Sequence, residues 1–470
     1  MKKLPLYFSI LFSFVLKAQT YPSQNISLLG LIDPNTNTTT IGPDGRKYNG
    51  CWGWYQSSLN KEYAIVGASH GTYFIDVSNP TTPSVSAFVP GITNVTVREV
   101  KTYQNYCYIS CDQVGTNLFQ IIDMSTLPGT VTVVHNNNNI FESGHTMWIN
   151  GDKLYVGGVR YFNNTTSPMN IYSIATPSAP VLLRELSQDF PAISYVHDMY
   201  VRNDTVFASC GYQGLYVFKF NNTTNTFSQL GSYTGYAPAT YNHSSGLTQD
   251  GKHLLFCDES PAGSPIRYVD VQNLNNIQPV QTFQPFSGTT PHNPFLIGNK
   301  WAVVSCYQDG LYIYDISQPG NAAVSGYFDT YPQSGGNIGN YFGADYRGNW
   351  GAYPYLPSGI ILAADMQNGL FILDPTNAYN NPVGIKNNST KNTEFIIYPN
   401  PAWGNLQVSY NTANASKLEL KNILGEVVLQ KNYSGSISER LDISTFEAGT
   451  YLISITEQGY TNYKKLVIYH

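Results

Sequence analysis

The sequence predicts an all-β protein: a seven-bladed β-propeller closed by an N-terminal strand, followed by a small Ig-like β-sandwich. Three observations carry that expectation. Charged residues make up only 12% of the 470 residues, while Tyr numbers 37 and Gly 40, a composition suited to extended strands and polar turns rather than helices. One apolar phrase returns seven times between residues 73 and 375. Beyond residue 395 the phrase stops and a different pattern of strands and turns begins.

The seven copies are YFIDVSNP at 73 to 80, LFQIIDMS at 118 to 125, NIYSIATP at 170 to 177, LYVFKF at 215 to 220, IRYVDV at 266 to 271, LYIYDISQP at 311 to 319 and LFILDP at 370 to 375. Each is rich in Val, Ile, Tyr and Phe, and most close on Asp-x-Ser or Pro, which reads as a strand running into a turn. A second strand precedes each copy, as in EYAIVGAS, DTVFASC and KWAVVSC. Turns such as Asn150-Gly151-Asp152 and Gln249-Asp250-Gly251 separate that strand from an earlier one beginning HTMWIN, HDMYVR, HSSGLT or HNPFLI. A weaker fourth strand follows, as in PVLLREL and AVSGYF. Four antiparallel strands every 40 to 50 residues or so match a propeller blade, with starts near 52, 97, 144, 196, 242, 291 and 349.

The last copy has no fourth strand after it. NISLLGLI at 25 to 32 resembles the fourth-strand segment SQLGSY at 228 to 233. It is expected to complete the last blade, tying first to last and leaving no open edge. The propeller therefore spans 25 to 375, with a polar, Asn-rich linker at 376 to 394 and a terminal domain at 395 to 470.

Residues 1 to 19 read as a signal peptide. Met1, Lys2 and Lys3 carry positive charge, Leu4 to Leu16 form an apolar run, and Lys17-Ala18-Gln19 offers a cleavage context. The run is about 13 residues, short of the 20 or so that span a bilayer. Net charge is −5 without a basic block, so nucleic acid is not an expected partner. Of six cysteines, Cys111, Cys210, Cys257 and Cys306 fall at or beside one recurrent strand position and read as small buried fillers; Cys51 and Cys107 have no evident partner.

The recurring phrase resembles the LVIVD repeat, and the arrangement from about 25 to 375 resembles the choice-of-anchor B family of bacterial exported proteins. That resemblance implies a propeller and a surface location, and no particular activity. LYVFKF lacks the Asp of the phrase, and NIYSIATP replaces it with Ser173 or Ala175.

In the tail, Tyr398-Pro399-Asn400-Pro401, Gly425-Glu426, Ala448-Gly449-Thr450-Tyr451 and Lys464-Lys465 occur in an order that resembles the type A sorting domain of the type IX secretion system. The resemblance implies a Bacteroidetes-type host, the type IX machinery as partner, and removal of the tail with attachment to surface lipopolysaccharide.

The sequence contains no nucleophile elbow, phosphate loop, dinucleotide fingerprint or HExxH. Superimposing the blades instead aligns Trp52, Arg98, His145, His197, His243, His292 and Trp350 at one position. In a propeller the first strand is innermost, so these residues are expected at the mouth of the central channel. The loop between second and third strands should open on the same face, bringing Asp112, Gln213, Asp258, Glu259, Gln308, Asp309, Asp365, Gln367 and His70. His135, His253 and His470 lie away from that mouth.

Three readings of the mouth stay open. His145, His197, His243 and His292 could ligate a divalent transition metal, with Asp258 or Asp365 completing the shell. The funnel could hold a small polar, glycan or peptide ligand. Each histidine could instead bond the backbone of the next blade and fasten the repeat. Surface binding or adhesion is the expected function; the alternative is a metal-dependent hydrolase with a metal-bound water beside Asp258 or Glu259.

Overall fold

A computed structural model describes residues 20–35, 42, 44–113, 115, 118–237, 240–342, 346–380, 395–422, 426–457 and 460–469. The expected signal peptide at 1 to 19, linker residues 381 to 394 and Gly425 lie outside the described residues.

The sequence from 48 to 374 folds into consecutive antiparallel sheets, each adding its strands in chain order. The first comprises Tyr48–Gln56, Lys61–Ala68, Gly71–Asp76 and Ser84–Pro90; the fourth comprises Asp198–Arg202, Thr205–Ser209, Leu215–Asn221 and Thr226–Tyr233. Innermost strands of neighbouring sheets pack on one another: Tyr48–Gln56 on Arg98–Tyr103, that on Thr146–Asn150, and so on to Pro294–Ile297; the second strand of that sheet, Trp301–Ser305, packs on Asn349–Tyr353, which packs back on Tyr48–Gln56. The circuit closes, which makes the domain a β-propeller.

Closure uses residues from the N-terminal side. Ser27–Ile32 forms the outer strand of the last sheet, pairing Ser27 with Asp374 and Ile32 with Leu370. Ser23–Gln24 also adds a fifth strand to the preceding sheet beside Ala323–Phe328, a pairing the sequence did not suggest. Thr376–Asn380, at the start of the expected linker, is a short helix with Ala378 buried against that same sheet.

Burial explains the strand patterns. A middle strand is covered by sheets on both faces, so Ile361–Asp365 and Trp301–Ser305 are buried throughout; a fourth strand lies on the rim, so Val181–Glu185 is exposed to half-buried throughout. The apolar contacts lie between sheets: Ile65, Phe74, Val100, Ile109 and Ile122 join the first to the second, and Ala64, Val66, Ile372, Leu362 and Leu356 join the last to the first. All six cysteines are buried and free.

The phrase's closing Asp is a turn device. Its carboxylate accepts the backbone N–H two residues on: Asp76 from Ser78 at 3.0 Å, Asp123 from Ser125 at 2.8 Å, and Asp315 from Ser317 at 2.9 Å. That is the Asx turn, which such side chains form readily. Where LYVFKF lacks the Asp, Asn221 accepts from Thr223 at 2.8 Å instead.

The C-terminal segment forms two sheets. One orders Phe395–Tyr398, Asn405–Tyr410 and Ile437–Asp442; the other orders Val427–Tyr433, Ser416–Lys421, Gly449–Glu457 and Tyr460–Ile468. Leu406, Val408, Leu418, Ile453, Ile455 and Leu466 form its core.

Candidate functional site

Four imidazoles line one side of the channel mouth in series. Ring centroids lie 4.2 Å apart from His145 to His197, 4.3 Å from His197 to His243 and 4.3 Å from His243 to His292, and the row ends on Trp350, 4.7 Å from His292. The backbone sets this spacing, because each histidine lies at or near the start of an innermost strand and is tied to its own sheet. His145 N–H donates to Gly157 O at 2.9 Å, His197 N–H to Ser209 O at 2.8 Å and His292 N–H to Ser305 O at 2.8 Å. His243 sits at a register shift between Asn242 and Ser244.

The side chains then reach sideways. His197 Nδ1 lies 3.2 Å from the His243 carbonyl oxygen, His243 Nδ1 lies 3.1 Å from that of His292, and His292 Nδ1 bonds the Trp350 carbonyl. A carbonyl only accepts, so each Nδ1 must carry the proton. The Nε2 atoms are left as bare lone pairs when the rings are neutral.

Neutral they are. Burial holds His197 well below the usual imidazole range, with the charge of His145 adding to it. Burial and the same charge push His243 down to about 3, and burial with the charge of His243 pushes His292 down to about 3. His145 differs: burial acts to lower its pKa, but its Nδ1 bond to Asp112 at 3.0 Å and the charge of that carboxylate outweigh burial and raise it.

Above this floor lies a chamber of about 410 Å³ lined by Arg46, Thr96, Glu259, Tyr307, Tyr346 and the four histidines, among others. Glu259 accepts a hydrogen bond from the Tyr307 hydroxyl at 2.6 Å and stands 3.7 Å from His243 Nε2. Below the floor the channel continues past Glu99, Lys101, Thr146 and Asp198. Burial pushes Asp198 up to about 6.

Of the residues aligned by sequence, the four histidines and Trp350 meet at the mouth, with Asp112 and Glu259 beside them. Others go elsewhere. Arg98 is fully buried, its guanidinium donating to Ala68 O at 2.9 Å and Ile92 O at 2.7 Å; Val97 takes its place on the channel. Trp52 lies beyond the other end, lining a separate cavity of about 390 Å³ with Trp148, Tyr200, Arg202 and Tyr355.

Three carboxylates expected on the rim are turned into the sheet stack. Asp258 is fully buried and paired with Arg267 at 2.5 Å, with the Tyr236 hydroxyl at 2.9 Å on its other oxygen. Asp309 accepts from Gly336 N–H at 2.7 Å and the Tyr341 hydroxyl at 3.1 Å. Asp365 accepts from Thr330 Oγ1 at 2.7 Å and from the N–H groups of Gln367 and Asn368. A shell completed by Asp258 or Asp365 is therefore not available, and a hydrolase would have Glu259 alone. Gln213 accepts from Ser194 N–H, Gln308 from Phe342 N–H and Gln367 from Gly348 N–H, all bracing loops. His70 packs tilted against Phe88 and edge-on to Tyr73.

Sequence alignment missed Tyr307, Tyr346, Glu99 and Asp198. A signal did exist for the Asp258 pairing: Arg267 interrupts the apolar phrase IRYVDV, and a charge in a strand buried on both faces requires a partner.

Residues 396–469 match the secretion system C-terminal sorting domain, and residues 58–89 match the LVIVD repeat. Over 87 residues the chain is 25% identical to an endo-acting ulvan lyase of Formosa agariphila, a stretch covering 18% of this chain and 17% of that protein's length. Among solved structures, the β-propeller domain of Myceliophteria thermophila Cps50 (Swd1) is similar at 12% identity with a TM-score of 0.46, over 74% of this chain and 98% of that one. A chain of the COPII coat assembled on membranes is similar at 9% identity with a TM-score of 0.49, over 86% of this chain and 56% of that one. No helix among the described residues is long and apolar enough to cross a membrane. The chain carries the LVIVD repeat and the sorting domain of type IX secretion, and that tail marks it as a secreted or cell-surface protein.

Proposed function

We propose that this is a cell-surface binding protein of the choice-of-anchor B type, whose seven-bladed propeller receives a small polar ligand or a metal at the histidine-lined mouth. Domain bounds of 25 to 375 for the propeller and 395 to 470 for an Ig-like sorting sandwich accompany this reading, with a signal peptide at 1 to 19 and a linker at 376 to 394. The tail hands the chain to the secretion machinery of a Bacteroidetes-type cell, and its replacement by lipopolysaccharide holds the propeller at the surface.

One observation carries the binding reading. Three neutral imidazoles have their Nδ1 protons engaged by the next sheet's carbonyls, so the same bonds that fasten the sheets leave unprotonated Nε2 acceptors under a chamber rimmed by phenol hydroxyls and Arg46. Such a surface suits a hydroxyl-rich ligand such as a saccharide or a peptide terminus, with aromatic faces for its apolar side.

Tyr346 is partly exposed and packs on Tyr307 at 5.0 Å, which makes it the substitution of choice. Binding of the full chain to saccharide and peptide arrays should yield a ligand whose affinity falls about tenfold in Tyr346→Ala, with thermal stability unchanged. Absence of any ligand, or a ligand indifferent to Tyr346→Ala, would remove this reading.

A further inference from the structure

The geometry points to a metal centre formed by His197, His243 and Glu259, taking a divalent first-row transition metal with open positions toward the chamber. This deepens the reading of the mouth as a binding site and rests on it.

Ligand atoms of these three residues all lie within 4.8 Å of one another. Two donors at about 2.1 Å from one ion stand at most about 4.2 Å apart, so a bound ion would draw the group inward. Glu259 can supply that movement: it is half-buried at the rim, whereas His197 and His243 are held from behind. Two imidazoles and one carboxylate make a donor set that suits Zn²⁺ or Fe²⁺ and leaves coordination positions free.

The outer partners are those a metal centre needs. A ligating histidine keeps its tautomer when its other nitrogen donates to a fixed acceptor. Here the carbonyls of His243 and His292 accept from His197 and His243 respectively. Glu259 is oriented in turn by the Tyr307 hydroxyl at 2.6 Å. Each proposed ligand thus has one partner behind it and one donor atom in front.

The neighbouring histidines take other parts. His145 directs Nδ1 to Asp112, and His292 carries the same carbonyl bond to Trp350 that orders the row. Neither belongs to the group within mutual ligating reach.

The test uses the full chain purified without a histidine tag, stripped with chelator and titrated with Zn²⁺, then with Co²⁺ as a visible-absorption probe. One equivalent should bind and produce a Co²⁺ spectrum. Glu259→Gln, at a half-buried position, should weaken Zn²⁺ binding at least about a hundredfold and alter that spectrum, and Tyr307→Phe should weaken it about tenfold through the ligand it orients. Thermal stability without metal should match the unsubstituted protein in Glu259→Gln. Failure to bind one equivalent, or binding unaltered in affinity and spectrum by Glu259→Gln, overturns the centre. The Tyr346-dependent array measurement on the same metal-free protein separates failure of the centre from failure of the mouth as a ligand site.

Discussion

The histidine row and the carboxylates one strand behind it occupy the same end of the propeller and meet opposite fates. Both come from polar residues recurring sheet by sheet near strand ends. The histidines lie at or near the starts of innermost strands and end at the channel, where a sideways bond from Nδ1, to a neighbouring carbonyl or for His145 to Asp112, still leaves one nitrogen free. Asp258 and Asp365 sit near the ends of second strands and Asp309 in the turn that follows one, all fully buried, and their oxygens are drawn into a loop or a buried pair. Distance from the axis, more than residue type, separates a site residue from a scaffold residue here.

The largest effect expected from this contrast follows from breaking the buried pair. Arg267→Ala strands Asp258, which has no exposure, and should cost about 3 to 5 kcal/mol in chemical denaturation. Zn²⁺ affinity of the folded fraction should stay within about twofold. A variant that kept its stability and lost the metal would put Asp258 at the mouth after all.

A smaller effect separates the regions by pH. Burial raises Asp365 to about 7 against three hydrogen bonds that act to lower it. The unfolded chain ionises this group above about pH 4 and the native state only near 7, so the native state loses stability relative to a neutral side chain as pH rises between those values. Asp365→Asn should therefore gain on the unsubstituted protein from pH 4 to pH 7, by about 3 kcal/mol, measured by urea denaturation at both pH values. A difference independent of pH would mean that the carboxylate is ionised in its loop.

Much of the architecture was legible because the repeat is physical. Asp-x-Ser marks a turn in which the carboxylate caps a backbone N–H, and NISLLGLI looked like an outer strand because it pairs as one with Gly369–Asp374. The histidines aligned because their strands start alike. Trp52 misled because the first sheet slips its register between Tyr48 and Cys51, and spacing does not reveal a bulge. Arg98 misled by one residue, which in a strand is the difference between faces: Arg98 pairs with Cys111 and turns inward while Val97 faces the channel. Tyr307 and Glu259 meet across 48 residues, a contact that only the closed ring of sheets creates.

The most direct measurement is the tautomer of the three buried rings, read by long-range proton–nitrogen correlation on metal-free protein carrying ¹⁵N-histidine, near pH 7. His197, His243 and His292 should each be neutral with the proton on Nδ1 and a bare Nε2. A proton on Nε2 with Nδ1 bare would contradict the carbonyl bonds, and imidazolium rings at that pH would leave no bare Nε2 to accept a ligand; either result removes the site.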